Sequence, residues 1–421
     1  MFPEFNTSLE FAKAEDKKDP LASFKSVFHF PKHGGKDCIY FCGNSLGLQP
    51  KNLDDAIQVE LNSWRQNAIG GYFTGSHPWL YYHEFLQPAL AKIMGAKTNE
   101  ITVMNSLTVN LHLLMLSFYK PHQSKFKIIM EAGAFPSDQY AVETLVKQMG
   151  YDPEKAIIEI HPRSGEKILR NEDILELIKN TGSQLAMLMM GGIHYYTGQL
   201  FDMKSITEAS HAVGAIAGFD LAHVAGNVPV QLHDWNVDFA AWCSYKYLNA
   251  GPGAVGGVFV HEKWASNIHT NRLGGWWGNE EKTRFKMEKG FIPKPNASGW
   301  NISTTPVFNM IGLKASLELF DEAGIENLRN KSIRLTAYLA FLLNQLTHLS
   351  FEIVTPLDEA CRGAQLSLYF KENGKAIHNK MIENGIIVDY REPGVIRVAP
   401  APMYCSYEDV YDFYRILKEH F

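Results

Sequence analysis

The sequence predicts an α/β fold with a mostly parallel sheet flanked by helices, followed by a smaller α+β domain at the carboxyl end. From about residue 100, short apolar runs alternate with amphipathic stretches, the pattern of doubly buried strands joined by helices. A chain of 421 residues is also too long for one small core. We expect an N-terminal segment over residues 1–50, a large domain over 51–305, and linking helices with the small domain over 306–421.

The strands of the large domain are predicted from short apolar runs bounded by turn residues. They are Glu100–Met104, Lys127–Glu131, Ala156–Ile160, Leu185–Met190, Ala215–Asp220, Asp238–Cys243 and Val255–Val260. Apolar residues at helical spacing predict the helices that accompany them. These are Leu53–Gln66, Tyr81–Met94, Leu107–Phe118, Ser137–Met149, Asn171–Asn180 and Met203–Val213.

The last part of the chain opens with two long helical patterns and then changes to a mixed pattern of strands and helices. The predicted elements are helices Val307–Ala323 and Glu326–Leu346, strands Gln365–Phe370 and Val395–Val398, and a closing helix Tyr407–Glu419.

Composition excludes several classes of function. The formal net charge is -5 and no block of lysine or arginine occurs, so we expect no nucleic-acid partner and no binding to an acidic membrane. The first 20 residues carry charges where a secretory signal needs an apolar run, and we expect a cytoplasmic protein with no membrane span. Five cysteines without a CxxC pair argue against a disulfide framework or a metal site.

The strongest chemical signal is a carboxylate and a lysine that each follow a predicted strand. Asp220 ends one strand and Lys246 comes just after another. Ligands of open α/β sheets collect at the carboxyl ends of strands, so both side chains should reach one crevice. A lysine there can form a Schiff base with pyridoxal phosphate, and a carboxylate can keep its ring nitrogen protonated. Taken singly, Asp220 is better explained as a turn former and Lys246 as a solvated lysine; together they favour the cofactor.

Two strand-to-helix junctions offer further groups for such a cofactor. Asn105–Thr108 places hydroxyls and backbone N–H groups at a positive helix end, which suits a phosphate but equally suits simple helix capping. Phe135–Asp138 offers an aromatic face and a carboxylate, although a helix that begins with proline explains it as well.

The segment Gly251–Gly256 fits the pattern GxGxxG but leads into a strand. A dinucleotide fingerprint must open a helix, so we reject that interpretation. We expect instead a glycine-rich turn that lets the backbone pass close to Lys246.

Eight segments closely resemble kynureninases and together span most of the chain. They are Asn105–Leu114, Phe135–Asp138, His194–Gln199, Phe219–His223, Trp242–Gly251, Gly275–Gly278, Thr283–Met287 and Arg391–Pro400. The most specific are Ser244–Asn249 and Ile396–Pro400. The resemblance implies a type I fold and hydrolysis of L-kynurenine, or its 3-hydroxy relative, to anthranilate or 3-hydroxyanthranilate and alanine, in tryptophan breakdown or the synthesis of NAD precursors. It also implies a homodimer with shared active sites.

The resemblance assigns roles residue by residue. Lys246 would bond the cofactor, Asp220 would pair with its ring nitrogen, and Tyr245 would relay protons. The remaining cofactor contacts would be Leu107, Thr108, Phe135, Asp138, His223, Tyr245, Thr304 and, from the second subunit, Trp276. Arg397 would bind the substrate carboxylate as a bidentate fork.

Two positions near the substrate ring depart from the animal kynureninases. Thr304, next to Ser303, stands where they carry asparagine, and Tyr72 stands where they carry histidine. We expect Tyr72 and Ser303 to contact the substrate, and kynurenine to be preferred over 3-hydroxykynurenine.

Two other functions are compatible with parts of the pattern. A cysteine desulfurase or selenocysteine lyase shares the cofactor and lysine but needs a mobile catalytic cysteine, for which Cys361 is the candidate. A non-enzymatic relative would need a broken site, whereas the lysine, aspartate and arginine are all present.

Overall fold

The structure, a computed structural model, describes residues 4–420. In this part of the chain the strands are β1 Lys32–His33, β2 Lys36–Asp37, β3 Ile39–Tyr40, β4 Ile101–Val103, β5 Lys127–Glu131, β6 Ile157–Ile160, β7 Leu185–Gly191, β8 Ile216–Asp220, β9 Phe239–Trp242, β10 Gly257–Val260, β11 Glu352–Ile353, β12 Leu366–Tyr369, β13 Ile386–Ile387, β14 Asp389–Arg391 and β15 Val395–Val398.

The α-helices of the described residues are α1 Leu9–Lys18, α2 Leu53–Asn67, α3 Tyr82–Met94, α4 Leu107–Phe118, α5 Pro136–Gln148, α6 Pro153–Ala156, α7 Asn171–Thr181, α8 Met203–Ala212, α9 Glu262–Ala265, α10 Glu281–Arg284, α11 Val307–Ala323, α12 Ile325–Leu343, α13 Gly374–Glu383 and α14 Tyr407–His420. Within residues 4–420, none of the helices is both long and apolar enough to cross a membrane.

The large sheet has seven described strands in the order β4-β10-β9-β8-β7-β5-β6. Neighbours from β9 to β6 pair in parallel, and β10 runs antiparallel to both β4 and β9. The predicted fold class, a mostly parallel sheet flanked by helices, is therefore confirmed. Strands β5, β7 and β8 are neighbours, so their carboxyl ends meet at one edge of the sheet.

All seven predicted strands of the large domain are present, with ends that differ by at most two residues. The bounds of Lys127–Glu131, Leu107–Phe118 and Val307–Ala323 are those predicted. The sequence does not predict several two- or three-residue strands, the four-residue helices α6, α9 and α10, or the longer helices α1 and α13. Both helices are ten residues long and rich in charged or polar residues, so their apolar periodicity is weak.

A second sheet, in the carboxyl-terminal part, orders its described strands β11-β12-β15-β14, and all of its pairs are antiparallel. The N-terminal segment joins this part of the molecule, because β3 pairs in parallel with β13 and α1 packs on α14. The same N-terminal segment brings Ser45 to the edge of the second sheet, where its hydroxyl donates to Asp389 at 2.8 Å.

Candidate active site

A cavity of about 260 Å³ lies at the carboxyl edge of the large sheet. Nine of the residues that sequence reasoning singles out line it: Leu107, Thr108, Phe135, Asp138, Asp220, His223, Tyr245, Lys246 and Arg397. Asp220 is the last residue of β8, and Lys246 lies in the turn that follows β9. The cavity therefore combines a lysine, two aspartates and an arginine in one place.

Lys246 is held by His223. The distance from Lys246 Nζ to His223 Nε2 is 3.1 Å. Burial, together with the nearby charge of Lys246, holds the pKa of His223 well below its usual value. The imidazole is therefore neutral and accepts a hydrogen bond from the ammonium group, which keeps the lysine side chain in the cavity.

Three buried carboxyl groups lie at the ends of neighbouring elements. Burial raises the pKa of Asp220, Asp138 and Glu131, and the charge of Asp220 raises the last two further. Asp220 Oδ1 accepts the N–H of Ala222 at 2.7 Å. Asp138 Oδ1 is buried and finds no hydrogen-bond partner among residues 4–420. Such a group favours a ligand that brings a positive charge or a donor.

A negatively charged ligand is favoured where α4 begins. Ser106, Leu107 and Thr108 line the cavity there. The Ser106 side chain makes no capping hydrogen bond, and the Thr108 hydroxyl lies 2.7 Å from that of Ser137. The first turn of the helix thus offers N–H groups and hydroxyls rather than a closed cap, as an anion site requires.

Two glycines allow close backbone contacts, one at the start of α4 and one at Lys246. A Cβ atom at Gly256 would lie 3.3 Å from the nitrogen of Leu107, so this glycine makes room for the start of α4. Gly47 is the glycine that approaches Lys246: its Cβ would lie 2.4 Å from the Lys246 carbonyl oxygen. The nearest atoms to a Cβ added at Gly253 or Gly256 belong to residues other than Lys246, and none lies within 4 Å at Gly251, so the close approach of the turn to Lys246 stays a prediction.

Phe135 forms one wall of the cavity. It precedes α5, whose first residue is Pro136, and its ring is edge-on to that of Tyr195, with centroids 5.2 Å apart. The ring remains 41% exposed although it borders the cavity. Its free face is therefore available to a planar ligand.

Arg397 lies on the other side, on β15, and is buried. Its Nε donates to Asp389 at 2.8 Å, one terminal nitrogen donates to the Tyr195 carbonyl at 3.0 Å, and the other donates to the Ser45 hydroxyl at 3.0 Å. These contacts fix the plane of the guanidinium group at the cavity wall.

Four of the predicted residues do not line this cavity: Tyr72, Trp276, Ser303 and Thr304. Trp276 is 45% exposed and donates its indole N–H to the carbonyl of Arg284. Tyr72 packs edge-on against Trp79, at 5.4 Å between ring centroids. Within a single chain the structure does not bring these four residues to the lysine.

Sequence reasoning missed several lining residues, namely Asn44, Ser45, Glu131, Tyr195 and Arg391. One of them carries a usable signal: Glu131 is a carboxylate at the end of a predicted strand, as Asp220 is. Tyr195 and Arg391 lie in segments that resemble kynureninases, His194–Gln199 and Arg391–Pro400, but the resemblance assigns them no role. Asn44 and Ser45 reach the cavity through contacts between segments far apart in sequence, which no local pattern reports.

The cysteine that a desulfurase would need lies elsewhere. Cys361 lines a different cavity, beside Leu200, whose N–H donates to the Cys361 carbonyl. Burial raises the pKa of its thiol, which makes it a poorer nucleophile.

A separate cluster near the far end of β10 joins Glu100, His233 and His261, whose ligand atoms lie within 4.8 Å of one another. Glu100 already accepts the backbone N–H groups of Glu262 at 2.8 Å and Lys97 at 2.9 Å, and His233 Nδ1 lies 2.9 Å away. These hydrogen bonds tie three segments together and account for the buried carboxylate.

Comparisons with known proteins identify the family. A kynureninase of Flavobacterium psychrophilum is 51% identical over 418 residues, which cover 99% of this chain and 98% of that protein. The chain belongs to the kynureninase family. Kynureninases of Myxococcus xanthus (51% identity; 99% of this chain and 98% of the other covered) and Nematostella vectensis (44%; 98% and 94%) agree. Residues 328–417 of this kynureninase-family chain match the profile described as "Kynureninase C-terminal domain".

Solved structures support the fold. A C-DES mutant with glycine covalently linked to its PLP cofactor has a TM-score of 0.77 at 19% identity, covering 91% of this chain and 96% of that one. The apo cysteine desulfurase of Thermococcus onnurineus NA1 has a TM-score of 0.74 at 18% identity, covering 96% and 97%. At this identity the likeness concerns the fold alone, which is the type I fold of pyridoxal-phosphate enzymes.

Proposed function

We propose that the chain hydrolyses the Cβ–Cγ bond of L-kynurenine with pyridoxal phosphate as cofactor, giving anthranilate and L-alanine. The observation that carries the proposal is the single cavity shared by Lys246, Asp220 and Arg397 in a member of this family. A lysine, a carboxylate and a fixed arginine are the groups that this cofactor and an amino-acid substrate require.

The residues of the cavity fit pyridoxal phosphate. Lys246 offers an amine for the aldehyde, and Asp220, with the unpartnered oxygen of Asp138 near it, offers carboxylates for the ring nitrogen. Phe135 offers its free face to the ring, and the buried Nδ1 atom of His223, which has no partner among residues 4–420, offers a further polar contact.

The phosphate would lie at the start of α4. The N–H of Leu107 and the hydroxyl of Thr108 would supply donors at the positive end of the helix, and Tyr245 lines the same cavity. Burial raises the pKa of Tyr245, so its hydroxyl stays protonated and donates to the phosphate or passes on a proton.

The chemistry that pyridoxal phosphate supplies when bound is an electron sink for the bonds broken at Cα and Cβ of the substrate. Asp220 keeps that sink effective by holding a proton at the ring nitrogen. With the cofactor and substrate bound, the Lys246 amine would be the base that takes the Cα proton of the substrate and later returns a proton. Arg397 binds the substrate carboxylate and so orients the Cα–H bond toward the lysine.

The test is turnover of kynurenine, followed by the fluorescence of anthranilate. Lys246→Ala should abolish turnover and the absorbance of lysine-bound cofactor, because no other amine is held at that point of the cavity by His223. Lys92→Ala is the matched control, since Lys92 is 70% exposed and pairs with Asp321 away from the cavity. Normal turnover by Lys246→Ala, or release of sulfide from cysteine without turnover of kynurenine, would contradict the proposal.

The substrate preference is a separate part of the proposal. We infer that kynurenine is favoured over 3-hydroxykynurenine, because Tyr72 and Thr304 differ from the residues of the animal enzymes near the ring. Comparing kcat/KM for the two substrates tests this, and a ratio that favours 3-hydroxykynurenine would contradict it.

We propose further that the protein is a homodimer whose active sites are completed across the subunit boundary. Large apolar side chains are exposed on the segments that carry the four residues outside the cavity. They include Ile69 and Phe73 near Tyr72, Phe308 near Thr304, and Leu273, Phe285 and Met287 near Trp276. Large apolar side chains left exposed near one another in sequence are expected where a partner subunit covers them. In the dimer, Trp276 and Thr304 would complete the cofactor pocket, and Tyr72 and Ser303 the substrate pocket.

Subunit complementation tests this arrangement. Lys246→Ala and Trp276→Ala should each be inactive or nearly so as homodimers. A mixture of equal amounts, allowed to exchange subunits, should regain about a quarter of the original activity, because half of the dimers then contain one intact site. No recovery, in subunits shown by ultracentrifugation to have exchanged, would mean that both residues serve the same chain's site.

The proposal also includes the domain boundaries and a cytoplasmic location for the protein. We infer a large cofactor domain over residues 51–305 and a small domain over 306–421, with residues 1–50 attached mainly to the small domain through β3 and α1. All five cysteines are free thiols, which is consistent with the reducing cytoplasm. A fluorescent fusion found outside the cytoplasm would contradict that location.

A further inference from the structure

Three charged side chains stand together where the substrate carboxylate would bind. Asp389 on β14 lies directly opposite Arg397 on β15. Arg391 is two residues further along β14, so its side chain leaves the strand on the same face as that of Asp389. Both arginines line the cavity.

Asp389 binds both guanidinium groups at once. Arg397 Nε and Arg391 Nε each lie 2.8 Å from its Oδ1 atom, and a terminal nitrogen of Arg391 lies 3.1 Å from Oδ2. The hydroxyl of Ser45 bridges two of these side chains: it donates to Asp389 at 2.8 Å and accepts from Arg397 at 3.0 Å. The contacts are paired, short and of opposite charge, so they fix all three side chains.

The hydrogen bonds of Arg397 leave room for a ligand. Three of the five N–H hydrogens of a guanidinium group donate to Asp389, Tyr195 and Ser45. Asp389 Oδ1 lies 2.8 Å from both Nε and the terminal nitrogen that donates to Ser45. The other terminal nitrogen, which donates one hydrogen to Tyr195, keeps its second hydrogen for a carboxylate.

Arg391 is needed to keep a net positive charge around Arg397. Arg397 is buried, and Asp389 alone would neutralise it. Burial by itself would raise the pKa of Asp389, but the two arginines hold it below its usual value, so the aspartate is charged. With Arg391 present, two positive charges face one negative charge, and the group keeps a net charge of +1.

We propose that Asp389 and Arg391 are positioning residues of the substrate carboxylate site: Asp389 fixes the guanidinium plane of Arg397, and Arg391 offsets the charge of Asp389 so that the site still attracts an anion. The inference rests on the proposed function, in which Arg397 binds the carboxylate of kynurenine. It adds that affinity is set by the net charge of three side chains and not by one arginine alone.

Steady-state kinetics of the holoenzyme with kynurenine test the proposal. Arg391→Gln should raise KM about tenfold while kcat stays within about twofold, because it removes a charge near the substrate carboxylate and none near the bond that breaks. Arg391→Lys retains the charge and should restore KM to within about threefold. Arg163→Gln is the matched control: Arg163 is also partly exposed and binds Asp173 through two nitrogens, but it lies outside the cavity.

The decisive variant is the double substitution Arg391→Gln with Asp389→Asn. It restores the net charge of +1, and the new amide oxygen still accepts the Nε hydrogen of Arg397. KM should therefore fall back from the value for Arg391→Gln to within a few-fold of the original. Titration calorimetry with L-alanine, which carries the same α-carboxylate but has no Cβ–Cγ bond to hydrolyse, should show the same order of affinities.

The outcomes separate the two proposals. If the original protein does not hydrolyse kynurenine, the proposed function fails. If it does, and Arg391→Gln leaves KM and the affinity for alanine unchanged, only this inference is overturned. It is also overturned if the double variant binds no better than Arg391→Gln, because the effect of Arg391 would then not be one of charge.

Discussion

Glu131 should make the stability of the protein fall as pH rises. It ends β5, is 3% exposed, and accepts the N–H of Gly191 at 3.0 Å through Oε1. Its other oxygen finds no hydrogen-bond partner among residues 4–420. Burial, aided by the charge of Asp220, raises its pKa to about 8 from the ordinary 4.5. The folded chain therefore holds a proton that the unfolded chain has lost at neutral pH.

Proton linkage gives the direction and the magnitude of the change in stability that Glu131 causes. A carboxyl group with a raised pKa contributes its full stability below the unfolded pKa of 4.5 and loses it as pH rises toward 8. Each pKa unit corresponds to about 1.4 kcal/mol, so the whole shift amounts to about 5 kcal/mol. Between pH 6 and pH 9, the part that remains to be lost is about 3 kcal/mol.

Glu131→Gln removes this dependence while it keeps an oxygen for the N–H of Gly191. Denaturant unfolding of the cofactor-free protein, measured at several pH values, should show the variant gaining about 3 kcal/mol on the original between pH 6 and pH 9. Glu143→Gln is the control, because Glu143 is an exposed residue of α5 that pairs with Lys147. Parallel pH profiles for the original protein and Glu131→Gln would refute the reasoning, since Glu131 would then titrate alike in both states.

Two further predictions concern the large sheet. Gly218→Ala should lower the free energy of unfolding by about 2–4 kcal/mol, because a Cβ there would lie 2.1 Å from the ring of Phe239; a loss below 0.5 kcal/mol in urea unfolding would mean that the ring moves freely aside. Asp238→Asn should cost about 2–3 kcal/mol at neutral pH, because this buried carboxylate accepts hydrogen bonds from His211, Trp264 and a backbone N–H. Burial by itself would raise the pKa of Asp238, but these partners and the charge of Lys263 hold it below its ordinary 3.8. The stabilisation should therefore be present above pH 3.8 and fade as pH falls below 3.8 toward the lowered pKa. An Asp238→Asn difference that is constant down to pH 3 would contradict this.

Local patterns were sufficient for much of the fold and part of the site. Strand β5 and helix α4 are long, apolar and bounded by turn residues, so their own composition predicts them. The same reasoning identifies Asp220 and Lys246, because each follows a strand whose carboxyl end must lie at the ligand-binding edge. Helix α1 is different: it is short and highly charged, and it is stabilised by its contact with α14, a contact that no local window contains.

The contacts of Asp389 in the site likewise could not be predicted from local sequence patterns. Ser45 and Asp389 are 344 residues apart in sequence, yet they share a hydrogen bond. Strand β14 has three residues, too few for an alternating pattern to be recognised. Arg391 lies in a segment that resembles kynureninases, but its part in the site, like that of Asp389, became visible only once the pairing of β14 with β15 was known.

Amino-acid order alone accounts for the class of fold, the places where strands end, and the residue types that a cofactor needs, since each of these depends on neighbours within one or two turns or strands. Only the folded chain decided which strand ends are adjacent, which glycine approaches the lysine, and which charges surround Arg397. These depend on the order and register of strands that are distant in sequence, which are set by the packing of the whole core rather than by any local segment.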